Sequence, residues 1–496
     1  MPRLGAIPVG GGRVEFWVWA PHASTVHVRL AGGDRQLEAG AAGFHAATVE
    51  AGPGDDYRFV LDGGDAWPDP CSRAQPGGVR GPSRVIDGHA FDIASGPRLS
   101  LDDLVVYELH VGTFTNEGTF DAAIPHLPAL RELGVTAVEL MPVATFPGNR
   151  GWGYDGLYLS APHPAYGGPD GLARFVDAAH RAQLGVILDV VYNHVGPGSE
   201  ALAAFGPYFS DRQETPWGGA IDYSRPGVRE WALQNAELWV DEYRIDGLRL
   251  DAVFAIFDDE SPLHVLRELR DRLPGALLIA EQETGNLRPL EDWGFDAQWA
   301  DEFHHELHVL LTGERDGYYA RYGTVEGLAR QLERQPARRL VFCTQNHDQV
   351  GNRALGDRPA RDELELRAAL LLFAPQVPLL FMGEEYGERS PFQFFTDHID
   401  PFIADATREG RRREFAGFAG FEGEVPDPQA LATFERSKLS RREDAAVRRL
   451  YEDLLRLRRE LPREVETRVD GRALHVRRGR AELTVDLAAR TWSLTR

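Results

Sequence analysis

The stretch DGLRLDAV, residues 246–253, sets Asp246, Arg249 and Asp251 in an otherwise apolar run. Short apolar runs become buried strands, and unpaired charge is strongly disfavoured in a low-dielectric interior. Such charges are tolerable where they pair with one another beside a wet cleft. Other apolar runs end the same way: DVVYNH (189–194) on Asp189, Asn193 and His194, and IAEQE (279–283) on Glu281 and Glu283. QNHD (345–348) brings His347 and Asp348, and PLLFMGEE (378–385) brings Glu384 and Glu385. Three acids from three runs, Asp251, Glu281 and Asp348, with histidines and an arginine, fit cleavage of a glycosidic bond. That reaction needs one carboxylate as nucleophile, one carboxylic acid as proton donor, and negative charge beside an oxocarbenium-like transition state. A neighbouring guanidinium keeps a nucleophile ionised, and a second carboxylate raises the donor's pKa. The sequence has no HExxH, paired CxxC or phosphate-cradling glycine loop, so zinc hydrolysis and phosphoryl transfer lack their parts.

These residues need a scaffold that brings strand ends together. From about residue 100, apolar runs at 105–111, 137–142, 185–194, 247–253, 277–283, 297–303, 340–348 and 378–385 alternate with helical segments such as 229–243. Eight such units predict an α/β fold, a (β/α)8 TIM barrel, whose C-terminal face hosts the active site. Arg249 and Asp251, two apart, then share one side of strand four. Ahead of the barrel, 14–20, 26–30 and 57–63 alternate and are punctuated by Gly and Pro, which predicts an antiparallel sandwich. The turn-rich segment 68–85 reads as a linker. A long segment follows strand eight (386–440), then a helix over 441–461 and an alternating tail. The expected domains are a carbohydrate-module-like β-sandwich over 1–95, the barrel with loop insertions over 96–461, and a small C-terminal β domain over 462–496.

A net charge of −22 argues against nucleic-acid and anionic-membrane partners. A neutral substrate suits it, and ten tryptophans and fourteen tyrosines supply flat rings for sugar faces. No apolar stretch reaches membrane-span length and the N-terminus lacks a signal-peptide core, so a cytoplasmic protein is expected. Cys71 and Cys343 are expected as reduced thiols. HELH (305–308) offers two histidines and no third ligand, and no oxygen cage for calcium stands out. No metal or cofactor is expected.

The segments DVVYNH, GLRLDAV, IAEQE and QNHD resemble, in order and placement, the four signature regions of the alpha-amylase family of glycoside hydrolases. The resemblance implies Asp251 as nucleophile, Glu281 as general acid/base and Asp348 as the carboxylate that holds and distorts the sugar. It implies Arg249 as the nucleophile's partner, and His194 and His347 as ligands of sugar hydroxyls. Asp189 joins the substrate-binding set, and Tyr154, in GWGYDG (151–156), resembles the tyrosine stacked under the sugar at the cleaved bond.

Further stretches, among them 68–83, 146–156, 215–223, 298–314, 382–398 and GRRREFAGF (410–418), resemble one subgroup, the maltooligosyltrehalose trehalohydrolases. Membership would imply a malto-oligosaccharide substrate ending in trehalose, cut at the α-1,4 bond beside the trehalose, and a maltooligosyltrehalose synthase as pathway partner. Phe254 stands where that subgroup is expected to have histidine. Phe254, Glu283 and His305 are the candidates for the trehalose side, with Trp217 or Trp299 as stacking platforms. The rival readings are a glucan branching enzyme or another amylase-family glucan hydrolase, and, in a different class, a glucan-binding protein without catalysis. Retention of all three acids speaks against the last.

Overall fold

The structure, a computed structural model, describes residues 3–415 and 424–496. Its centre is a closed barrel of eight parallel strands. They are β1 (Val106–Leu109), β2 (Ala137–Leu140), β3 (Gly185–Val190), β4 (Gly247–Leu250), β5 (Leu277–Ala280), β6 (Ala297–Trp299), β7 (Leu340–Cys343) and β8 (Val377–Phe381). Each falls inside one of the eight expected runs, save that β8 starts one residue earlier. Leu277 alone among their residues is not fully buried, because helices cover the outside and side chains fill the inside. Parallel pairing sets Glu108 beside Glu139, and Asp189 beside Arg249. The lower barrel is apolar, built from Val106, Ala137, Ile187, Ile279, Val341 and Val377.

The strands stop sooner than the sequence suggests. β4 ends at Leu250 and β5 at Ala280, each one residue before its acid, and β7 ends at Cys343. His347 and Asp348 lie on a short helix, His347–Gly351, whose first turn is capped by the Asn346 side chain accepting from Gln349 N at 2.7 Å. Side-chain hydrogen bonds take over from the strand ladder where the cleft begins.

Two antiparallel sheets form the N-terminal sandwich, one around Arg13–Trp19 and Phe44–Glu50, the other around Val26–Leu30 and Asp56–Leu61. Val14, Phe16, Val18, Val26, Val28 and Phe59 meet between them, all fully buried. The sandwich seats on the helix Pro226–Asp241, where the Trp19 ring lies 2.1 Å from the position a Cβ on Gly227 would take. Only glycine allows that approach.

Segment 68–85 is no free linker. Asp69 is fully buried and accepts from Tyr57 Oη at 2.6 Å and Cys71 N at 2.7 Å. Arg73 Nη1 donates to Glu242 Oε2 at 2.9 Å, and Trp231 Nε1 donates to the Pro70 carbonyl at 3.1 Å. Turn-forming composition predicts exposure, but here side chains satisfy the irregular backbone and let it be buried as a cross-piece between sandwich and barrel.

Beyond the barrel, the helix Ala445–Arg458 packs back on it, and a four-stranded meander runs from Glu466 to Thr495. Residues 416–418 of the GRRREFAGF stretch lie outside the described residues. Cys71 and Cys343 are unpaired. Among the described residues no helix is long and apolar enough to cross a membrane.

Candidate active site

Arg249 is the hub of the site. Its side chain is fully buried, and Nη1 donates to Asp189 Oδ1 and Oδ2 at 2.9 and 2.8 Å and to Asp251 Oδ1 at 2.9 Å. Nη2 donates to Glu281 Oε2 at 2.8 Å. One guanidinium thus bridges carboxylates delivered by β3, β4 and β5, as its planar fork of donors allows. The indole of Trp299, from β6, lies under it with the guanidinium carbon 4.1 Å from the ring centre.

Backbone detail positions the acids. Ala252 sits at φ 37 and ψ 53, left-handed for a residue with a Cβ. That turn aims Ala252 N at Glu281 Oε2, 2.9 Å away. Asp251 Oδ2 accepts from Asn193 Nδ2 at 2.7 Å, and Asn193 Oδ1 pairs with His194 Nδ1. Among the described residues none bonds to the second oxygen of Glu281, Oε1, and the side chain is 21% exposed. Asp348, 32% exposed, faces the same cleft.

A second chain of contacts fixes protonation. His347 Nδ1 meets Glu108 Oε1 at 2.6 Å, and its Nε2 meets Tyr154 Oη at 2.8 Å. Tyr154 Oη donates to Asp189 Oδ2 at 2.6 Å, so its own proton is committed there. With Glu108 and Asp189 ionised, both ring nitrogens of His347 donate and the ring is an imidazolium. Burial opposes that charge, but Asp348 and Glu108 outweigh it and raise the histidine to about 10.

The two acids on Arg249 are pushed apart. Burial raises Asp251, yet Arg249, His194 and the Asn193 donor outweigh it and hold the carboxyl below its ordinary value. For Glu281, burial dominates over Arg249, and Asp251 and Asp348 add to it, raising the carboxyl to about 8. At neutral pH one is an anion and the other an acid. Such a split is what acid/base division of labour requires.

The structure gathers Asp189, Arg249, Asp251, Glu281, His347, Asp348, Tyr154 and His194 in this cleft. His347, expected to reach sugar hydroxyls, has both nitrogens engaged by protein, and Tyr154 stacks on its ring with centroids 5.1 Å apart. Trp217, half exposed at the tip of a hairpin, stacks on His194 at 4.9 Å. Trp299 is buried under Arg249 and offers no open face for a sugar. Phe254 and Glu283 are exposed, and His305 is buried among Tyr318, Tyr319 and Tyr322. None of the three bonds to Arg249 or to the three acids. Glu384 and Glu385 do not join the cleft. Glu384 accepts from Thr344 Oγ1 at 2.9 Å and Tyr451 Oη at 2.7 Å, and Glu385 from Tyr107 Oη at 3.1 Å, tying the turn after β8 to the barrel and the helix behind it.

Three acids went unread in the sequence. Glu108 holds His347. Glu139, beside it, is buried with neither oxygen bonded, and burial with Glu108 and Asp189 nearby raises it well above the carboxylate range. Asp301, just past β6, is pushed up to about 7 by burial and then by Asp348. The signal existed: VVYELHV, AVELMP and AQWADEF each carry an acid in or beside an apolar run.

A family model for the alpha-amylase catalytic domain matches residues 107–217. The chain is 45% identical to a malto-oligosyltrehalose trehalohydrolase of Deinococcus radiodurans over 93% of its own length and 83% of that protein's. It is 41% identical to one of Saccharolobus solfataricus, covering 90% of this chain and 85% of that one. A crystal structure from Salmonella typhimurium, assigned as an alpha amylase, superposes with a TM-score of 0.91 at 39% identity, over 98% of this chain and 93% of that chain.

Proposed function

This chain belongs to the malto-oligosyltrehalose trehalohydrolases, and from that premise we propose how it works: it hydrolyses the α-1,4 bond beside the terminal trehalose of malto-oligosyltrehalose with retention, releasing trehalose and a malto-oligosaccharide. The observation that carries the reading is the pair of carboxyls, one ionised and one protonated, held by the two ends of a single guanidinium.

In the first step Asp251 attacks the anomeric carbon of the glucose at the cleaved bond while Glu281 gives its proton to the departing glycosidic oxygen. Trehalose leaves, and the malto-oligosaccharide is esterified to Asp251. In the second step Glu281, now a carboxylate, takes a proton from water, whose oxygen attacks the same carbon and frees Asp251. Two inversions give net retention. Arg249 keeps Asp251 anionic, and Asp348 accepts from the sugar hydroxyls. The His347 imidazolium orients the Tyr154 ring and offsets the charge of the acids around it. Asp189 anchors Arg249 from below. Phe254, Glu283 and His305 remain our candidates on the trehalose side, where two glucoses joined through both anomeric carbons must find matched donors and acceptors.

A synthase that builds the terminal α-1,1 link is the reaction that must supply this substrate. Two unpaired cysteines suit a reducing, cytoplasmic setting. The test is product analysis on malto-oligosyltrehalose beside a plain malto-oligosaccharide of equal length. Free trehalose, with little attack on the plain chain, is expected. New α-1,6 bonds formed on amylose would overturn the reading in favour of glucan branching.

A further inference from the structure

Beside the cleft, a cavity of about 300 Å³ opens where the sandwich meets the barrel. Trp67 and Arg58 reach it from the sandwich, Arg80 from the cross-piece, Tyr158 from the barrel side, Glu200 from the loop after β3, and Asp400 from the segment after β8. The volume lies at the lower end of the range of about 300–1,000 Å³ for small-molecule pockets.

The wall is built rather than left over. Arg58 donates to the carbonyls of Ala66 at 3.2 Å and Arg80 at 2.7 Å, and Tyr158 Oη donates to the Val79 carbonyl at 3.1 Å. These bonds lock the 77–81 turn against both neighbours. The lining mixes a half-buried indole with bases and acids of both signs. An anion or a cation would find as much repulsion as attraction there. A neutral polyhydroxylated ring suits such a lining, with the Trp67 indole for its apolar face and Arg80, Glu200 and Asp400 for its hydroxyls.

The cavity adjoins the cleft: Asp155, beside Tyr154, feels both His194 of the cleft and His398 of the cavity lining. Tyr158 follows Tyr154 on one loop, and Pro197 and Gly198 follow His194 on another. The two loops are laced together by Gly196 N donating to the Gly156 carbonyl at 3.1 Å. From the third side, His398 Nε2 lies 3.9 Å from Asp155 Oδ2, next to Tyr154. These segments follow β2, β3 and β8, away from the loops after β4 to β6 that carry the trehalose-side candidates.

We propose that this cavity binds α-1,4-linked glucose units of the substrate's malto-oligosaccharide arm, beyond the first two rings from the cleaved bond, so that the N-terminal sandwich sets chain-length preference. The proposal rests on the hydrolase reading above. It is tested in the full-length protein with Trp67→Ala and Arg80→Ala, measuring kcat and KM on maltosyltrehalose and on maltohexaosyltrehalose. For the longer substrate, Trp67→Ala raises KM about tenfold, the worth of one good stacking contact, with kcat unchanged. Arg80→Ala raises it about threefold, a hydrogen bond's worth. Neither changes the parameters for the shorter substrate. Arg80 is exposed, so that variant folds even if the indole deletion does not. Equal shifts on both substrates, or no shift in a folded variant, would overturn the proposal. So would binding to soluble glycogen that falls in Trp67→Ala with the KM ratio untouched, since the cavity would then hold a separate glucan. Failure of the wild type to release trehalose from either substrate would instead sink the hydrolase reading.

Discussion

The segment around β4 carries an aspartate at each end, and the two live different lives. Asp246, at the N-terminal end, accepts from His180 Nε2 at 2.9 Å and from Val186 N at 2.8 Å. Asp296, before β6, does the same job with Leu278 N at 2.8 Å and Arg270 Nη1 at 2.7 Å. Each takes the amide of a neighbouring strand's second residue. At the other end Asp251 meets Arg249, and Arg249 meets two further acids, while none of the described residues bonds to Glu281 Oε1 and Asp348 stays open to the cleft. Charge beside a barrel strand is therefore no mark of function. Convergence of acids from several strands, with bonding capacity left over, is.

The comparison breaks most visibly at Asp251. Asp251→Asn keeps the shape and, through its single amide oxygen, the Arg249 contact, and Asn193 Nδ2 keeps the Asp251 backbone carbonyl, so the fold stays, while kcat on malto-oligosyltrehalose drops by about 10⁴-fold or more. An active Asp251→Asn enzyme would remove the nucleophile assignment. Next in size is the pH profile. The proton on Glu281 must be present for its transfer, so kcat/KM declines about tenfold per unit as pH rises past about 8. The acid limb lies below the ordinary carboxylate range, because Asp251 is held down. Glu281→Gln should erase the basic limb along with most of the rate.

The smallest effect sharpens the contrast from the other side. Asp246→Ala strands His180 Nε2 and the Val186 amide, costing about 1–3 kcal/mol in chemical denaturation and leaving kcat alone. Burial lowers His180, but Asp246 outweighs it and raises its folded-state pKa above the unfolded value. That contribution is whole below about 6.5 and fades as pH climbs through the raised value. The wild type thus loses more stability than Asp246→Ala between mildly acid and mildly alkaline pH. Equal slopes would dissolve the structural role of the pair.

Much of this was legible in the sequence, for identifiable reasons. Barrel strands are buried on both faces, so they read as continuous apolar runs, and a charge inside one stands out. The same logic covers Glu108 and Glu139, but these acids sit mid-strand, where the apolar run continues past them and no strand end marks them. Trp299 was unreadable: its burial comes from Arg249 lying over it, a contact between β4 and β6 that no local pattern encodes. The apolar runs outlast the strands because the motif residues continue the run in sequence while their side chains, not their amides, carry the bonding. The 68–85 segment reads as a linker because turn composition says how a chain bends and nothing about what shelters it.

That sheltered segment has an architectural consequence. With Arg73 joined to Glu242, Trp231 to Pro70, and Trp19 sunk over Gly227, the sandwich and the barrel share one seam of buried polar and aromatic contacts. Cutting the chain there would strip a wall from each half. The two should melt in a single calorimetric transition, and the front module is better regarded as the barrel's ninth side than as a detachable accessory.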